Sequence, residues 1–222
     1  MKLFLDSANL IEIEDCLQKG VLSGITTNPS ILAKEPKTDF IGHIRKIVEL
    51  CNKHNQKIPL SVEVFTDNPK EMLKQSLELF EGIQYEQLNI KIPIGWEELG
   101  IIYELSKKGI KTNCTCLFTE GQVITASNAG ASYVSIFYGR LRDIGGDPIN
   151  VISNTRDILD MRGSDSEIIV GSIRHESEIT SSFTSGAHIV TASATLIKKL
   201  TIHPQTQKSV EGFLKDFSAW IK

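Results

Sequence analysis

Short apolar runs rich in branched residues alternate with longer segments of helical periodicity along the whole chain. The expected strands are Lys2–Asp6, Gly24–Thr27, Leu60–Phe65, Leu88–Pro93, Lys111–Phe118, Tyr133–Gly139, Glu167–Ile173 and His188–Ala192. Helical stretches fall between them: Ala8–Lys19, Thr38–His54, Asn68–Phe80, Glu97–Lys108, Thr119–Ala129, Pro148–Met161 and Glu176–Ser185. Gly20, Gly109, Gly130 and Gly186 stand where helices end on a residue that tolerates positive φ, and Asn68-Pro69 and Asp147-Pro148 stand where helices begin. Strict alternation requires a parallel sheet with helices as crossovers. About eight units of roughly 28 residues fit a closed (β/α)8 TIM barrel of near-minimal length. The alternative is a doubly wound open sheet, which usually carries a glycine-rich phosphate turn after an early strand. Neither a G-x-G-x-x-G nor a Walker sequence occurs.

No linker, low-complexity tract or composition shift divides the 222 residues, so residues 1–222 read as one barrel domain with a C-terminal helical arm at about 205–222. In that arm Val210, Phe213, Leu214, Phe217, Trp220 and Ile221 make an apolar stripe. It serves either as a lid over its own barrel or as an arm that docks on a neighbouring subunit, and periodicity leaves both open.

Hydrophobic residues at 41% and charged residues at 23% are ordinary for a globular chain. A net charge of −3 argues against a nucleic-acid or membrane-surface partner, so any anionic ligand must be small enough for a few local basic groups. No apolar stretch approaches the ~20 residues that span a bilayer. The opening Met1–Asp6 meets an acid too early for a signal peptide, and the four cysteines form no C-x-x-C, so a reduced, cytoplasmic protein is expected. Cys114 and Cys116 would share one face of a regular strand. With no His or third Cys nearby, they read as apolar wall residues and not as the start of a zinc site. His43, His54, His175, His188 and His203 form no ligand pattern, which disfavours a metal-dependent reaction.

Strands covered on both faces are nearly continuous Val, Ile and Leu, so polar residues inside them are informative. In Leu88–Pro93, Ile90 and Ile92 point to the helices, leaving Lys91 and Asn89 to point inward. A strand lysine is ordinarily a solvated edge residue, but a closed barrel has no edge, and an enclosed amine tends to lose its proton easily. Glu63 points inward by the same logic and calls for a partner, with Lys91 on the adjacent strand the natural one; a purely structural ion pair is the plainer reading. Asn113 and Thr115 add an amide and a hydroxyl from the next strand. Asp6 ends the first strand, where it is either a functional acid or a helix N-cap. Asn28, before Pro29, is either functional or a turn residue. Arg140 after the sixth strand, with Ser172 and Arg174 after the seventh, could form a phosphate pocket, since guanidinium forks match phosphate oxygens. The set suits Schiff-base chemistry: Lys91 attacks a ketone, Glu63 handles the carbinolamine water, and Asp6 takes a hydroxyl proton as a C–C bond breaks.

The runs Leu5-Asp6-Ser7-Ala8, Gly24–Ser30, Ile90-Lys91-Ile92-Pro93, Asn113–Phe118 and Phe137-Tyr138-Gly139-Arg140 resemble the transaldolase family, in its small-subunit branch that also contains the fructose 6-phosphate aldolases. The resemblance covers nearly the whole chain in order. It implies a (β/α)8 barrel with the Schiff-base lysine at Lys91, Asp6 as base for the C4 hydroxyl, and Glu63 with Thr115 positioning the catalytic water. Asn28, Asn113 and Ser135 would hold the dihydroxyacetone unit, and Arg140, Ser172 and Arg174 the substrate phosphate. It implies no metal or organic cofactor, sugar-phosphate substrates, a place in the pentose phosphate pathway, and a homo-oligomer (pentamer or decamer) in which the C-terminal helix reaches a neighbour. Glu63 and Phe137 match transaldolases, whereas the aldolase branch carries glutamine and tyrosine there, so transfer is expected over release of free dihydroxyacetone. Ile136 and Ile173 depart from the family's usual proline and phenylalanine, which bears on substrate length and acceptor preference. The rival readings are a fructose 6-phosphate aldolase and a sugar-phosphate binding barrel without turnover.

Overall fold

The computed structural model describes residues 1–221. Eight strands, β1 (Lys2–Asp6), β2 (Gly24–Thr26), β3 (Leu60–Glu63), β4 (Leu88–Pro93), β5 (Thr112–Leu117), β6 (Tyr133–Phe137), β7 (Glu167–Gly171) and β8 (Ile189–Ala192), pair in parallel in chain order. The ring closes between β8 and β1, with Leu5 opposite Ala192. This is a (β/α)8 barrel, as the alternation predicts. The outer layer comprises α1 (Leu10–Gln18), α2 (Pro29–Leu32), α3 (Phe40–Lys53), α4 (Pro69–Ile83), α5 (Trp96–Lys107), α6 (Glu120–Asn128), α7 (Tyr138–Asp143), α8 (Pro148–Met161), α9 (Glu176–Thr184) and α10 (Ala194–Lys199). A last helix, α11 (Pro204–Trp220), follows.

Period-two alternation sorts the strand residues into two populations. Leu5, Ile25, Val62, Ile90, Ile92, Cys114, Val134, Ile136, Val170 and Val190 face the helices and are fully buried in the main core. Inward positions change character along the barrel axis. Phe4, Tyr133, Ile169 and Ile189 form a separate buried cluster at the amino-terminal end, with the Phe4 and Tyr133 rings edge to face at 6.3 Å. Gly24 makes room for it, since a Cβ there would lie 2.4 Å from the Phe4 ring. Toward the carboxyl ends the inward residues turn polar, and the site begins.

Several expected boundaries move, each for a local reason. Asn9 Oδ1 accepts from the N–H groups of Ile11 and Glu12, both at 3.1 Å, so α1 is capped by Asn9 and Asp6 is released from the capping role. Tyr138 and Gly139 leave the sixth strand to open α7, and Ser172, at φ +58°, ends the seventh after Gly171. The short helices α2, α7 and α10 lie in segments without a full apolar period. The lid reading of the C-terminal stripe is not realised: α11 buries none of its residues, and Trp220 is 80% exposed.

Candidate active site

Lys91 projects from β4 with 5% of its surface exposed. Register places Glu63 directly opposite it on β3, and Lys91 Nζ lies 2.9 Å from Glu63 Oε2. Nζ also approaches the Thr27 carbonyl at 3.4 Å. Taking both charges out of water costs several kcal/mol apiece, so such a pair is weak evidence of a purely stabilising role.

Asp6 stands on β1 opposite Thr26 of β2, whose Oγ1 donates to Asp6 Oδ1 at 2.8 Å. Thr26 Oγ1 also lies 2.6 Å from Thr191 Oγ1 on β8. Thr26 gives its one hydroxyl proton to Asp6, so Thr191 is the donor to Thr26. Burial pushes the Asp6 carboxyl above its ordinary value, against the opposing pull of the Lys91 charge, the Thr26 hydrogen bond and the more distant Lys34. Asn28 caps α2 by accepting from Ile31 N–H at 3.0 Å, so its turn role and its place in the site coexist.

A second polar chain runs across β6, β5 and β3. Ser135 Oγ donates to Asn113 Oδ1 at 2.6 Å, and Asn113 Nδ2 donates to Ser61 Oγ at 3.1 Å. Thr115 is fully buried, and its Oγ1 has no hydrogen-bond partner among the described residues. A buried hydroxyl left so costs about 1–3 kcal/mol, which makes it a natural water ligand.

At the mouth, the Arg140 guanidinium lies over the Phe137 ring, 4.9 Å from its centroid, and Phe118 meets Phe137 edge to face at 6.0 Å. Ser172 holds its left-handed backbone conformation, worth about 1–3 kcal/mol of strain, while its carbonyl accepts from Gly139 N–H at 3.0 Å. Arg174 is held differently. Its guanidinium makes a bidentate ion pair with Asp143, Nη1 to Oδ1 being 2.5 Å, and that hydrogen bonding keeps the Asp143 carboxyl below its ordinary range.

These walls enclose a cavity of about 100 Å³ at the carboxyl ends of the strands, the end where barrels of this kind carry their sites. Of the expected residues, Lys91, Asp6, Asn28, Ser135, Phe137, Arg140 and Ser172 line it. Glu63 and Asn113 sit one contact behind, through Lys91 and Ser135. Thr115 is enclosed nearby on β5, while Arg174 is turned to Asp143 and does not line the cavity. Sequence reasoning missed Thr26, Thr191 and Gly171, which also line it. The reading of Cys116 changes too. Strand pairing shifts register between Cys114 and Leu117 and Cys116 takes φ +62°, so the two cysteines do not share a face. Cys114 is fully buried in the core, whereas Cys116 is only half-buried, within reach of the Glu63, Lys91 and Arg140 charges. Burial is the main reason its thiol sits above the ordinary value.

Comparisons agree with this architecture. The fold is shared with a thiamine phosphate pyrophosphorylase from Pyrococcus furiosus, at a TM-score of 0.61 and 9% identity over 87% of this chain and 85% of that one. A probable transaldolase of Alkaliphilus metalliredigens is 40% identical over the full length of both chains. Another, from Symbiobacterium thermophilum, is 38% identical over 99% of this chain and 98% of its own. The family model for transaldolase/fructose-6-phosphate aldolase matches residues 3–221. With a closed barrel, a polar pit at its carboxyl end and this match along nearly its whole length, the chain belongs to the transaldolase/fructose-6-phosphate aldolase family of enzymes.

Proposed function

We propose that the protein is a transaldolase that moves a dihydroxyacetone unit from a ketose phosphate, such as sedoheptulose 7-phosphate or fructose 6-phosphate, to an aldose phosphate. The observation that carries this is the enclosed Lys91 amine, 2.9 Å from Glu63, in a cavity whose wall also holds Asp6.

Glu63 takes a proton from Lys91, and the neutral amine attacks the C2 ketone. The carbinolamine loses water, which Glu63 and Thr115 hold, leaving an iminium. Asp6 removes the C4 hydroxyl proton, the C3–C4 bond breaks, and its electrons flow into the iminium to give an enamine while the aldehyde departs. The acceptor aldehyde then meets the enamine carbon, Asp6 returns its proton, and water releases the new ketose. Asn28, Asn113 and Ser135 orient the three-carbon unit. Arg140 and Ser172 hold the phosphate, joined by Arg174 once it exchanges Asp143 for the anion. Phe137 offers no hydroxyl to protonate the enamine, which favours transfer over release.

Borohydride added with fructose 6-phosphate should fix a covalent adduct on the Lys91 peptide, and Lys91→Met should abolish it. No adduct in the wild-type protein would end the proposal. Release of dihydroxyacetone should be slow until an aldose phosphate is added; rapid release without acceptor would identify a lyase instead. By the same reading the exposed α11 stripe is a contact between copies in a homo-oligomer, and four free cysteines suit a reduced, cytoplasmic setting within the pentose phosphate pathway.

A further inference from the structure

We propose that Glu178 is a positioning residue for phosphate recognition, fixing the Ser172–Arg174 loop against the helix that carries Arg140. This rests on the phosphate reading of Arg140 and Ser172 given above. Glu178 lies in the first turn of α9 and is only 3% exposed, although a capping glutamate can do its work at the surface. One oxygen, Oε2, accepts from the backbone N–H groups of Arg174 at 2.7 Å and His175 at 3.2 Å. The other, Oε1, pairs with Arg142 on α7. A capping bond needs only the His175 contact; the Arg174 N–H draws the loop onto Glu178, and the Arg142 pair ties both to a different helix.

The tie has a counterpart. Asp143, next to Arg142 on α7, pairs with Arg174 on the loop, so before an anion arrives the two segments are stitched by two ion pairs of opposite sense. Once Arg174 turns to the phosphate, the Glu178–Arg142 pair is the one that stays. Between them Gly139 N–H donates to the Ser172 carbonyl at 3.0 Å, and a Cβ on Gly139 would lie 2.4 Å from that oxygen. The seam is therefore drawn to backbone contact, and it joins the element bearing Arg140 to the loop bearing Ser172. A phosphate held between them depends on that spacing, because its donors must converge to hydrogen-bond distance. Glu178 lies outside the cavity lining and acts through the loop and helix that it joins.

Glu178→Gln keeps the side chain's length and one acceptor oxygen but loses the charge facing Arg142; Glu178→Ala removes all three contacts. In Glu178→Gln the inhibition constant of inorganic phosphate should rise about tenfold, as expected for lost binding. The concentration for half-maximal borohydride trapping at Lys91 should shift about tenfold more for fructose 6-phosphate than for dihydroxyacetone. Equal shifts for both ligands would mean a general structural defect and overturn the proposal, as would no shift at all. Should Glu178→Ala fail to fold, Glu178→Gln still decides between these outcomes. Phosphate that does not inhibit the wild-type enzyme would instead remove the phosphate reading, and this inference with it.

Discussion

Burial makes the ionised form of Asp6 costly. A carboxyl whose pKa rises on folding binds more protons in the native state, so its contribution is fully favourable below the unfolded value and is lost as pH climbs through the folded one. Asp6→Asn should therefore raise the melting temperature at pH 7 to 8, with the gap from wild type closing as pH falls toward 4, while kcat drops roughly 10²–10⁴-fold. A variant that melts earlier at pH 7 would show that Asp6 stabilises the fold after all. The same burial should carry the acid limb of the wild-type rate profile above the ordinary carboxylate range. Lys91 and Glu63 were legible because a charge inside an apolar run of a closed barrel has no solvated edge to go to and needs a partner. Thr26 and Thr191 were not, because threonine is at home in any strand and raises no flag there. Arg174 was legible as a cation but not as the partner of Asp143, 31 residues earlier, since that contact exists only once α7 lies against the β7–α9 loop.

At the level of strands and helices, alternation gave the order and number of the elements, and local chemistry set their ends. Asn9, and not Asp6, caps α1. The break in β5 left no glycine or proline as a mark in Thr112-Asn113-Cys114-Thr115-Cys116-Leu117, yet it changes where Cys116 faces. Gly24 shows how closely one strand is fitted to its neighbour. Gly24→Ala would drive a methyl into the Phe4 ring and should destabilise the protein by about 1–3 kcal/mol in urea unfolding, as overpacked cores do. Unchanged stability would mean that the lower cluster yields easily. Because Gly24 lies two residues before Thr26, kcat should fall far less than it does for Asp6→Asn.

Seen whole, the molecule is a well-buried barrel followed by a helix that has yet to find cover. Phe213 and Phe217 are 71% and 58% exposed on α11, and Phe217 stacks on Trp220 at 5.9 Å. Contiguous apolar surface left uncovered in this way is the kind that interaction sites use. If it joins copies of this chain, Phe213→Ser with Phe217→Ser should lower the mass in light scattering toward the 24.6 kDa of one subunit. A wild-type protein already at that mass would refute the contact. The aromatic plug formed by Phe4 and Tyr133 has its own bearing on how the molecule works. It fills the amino-terminal half of the barrel, and the cavity at the carboxyl end is left with only about 100 Å³. On the proposed mechanism so small a space would make the departing aldehyde leave before its replacement comes in, with the three carbons on Lys91 waiting alone in between.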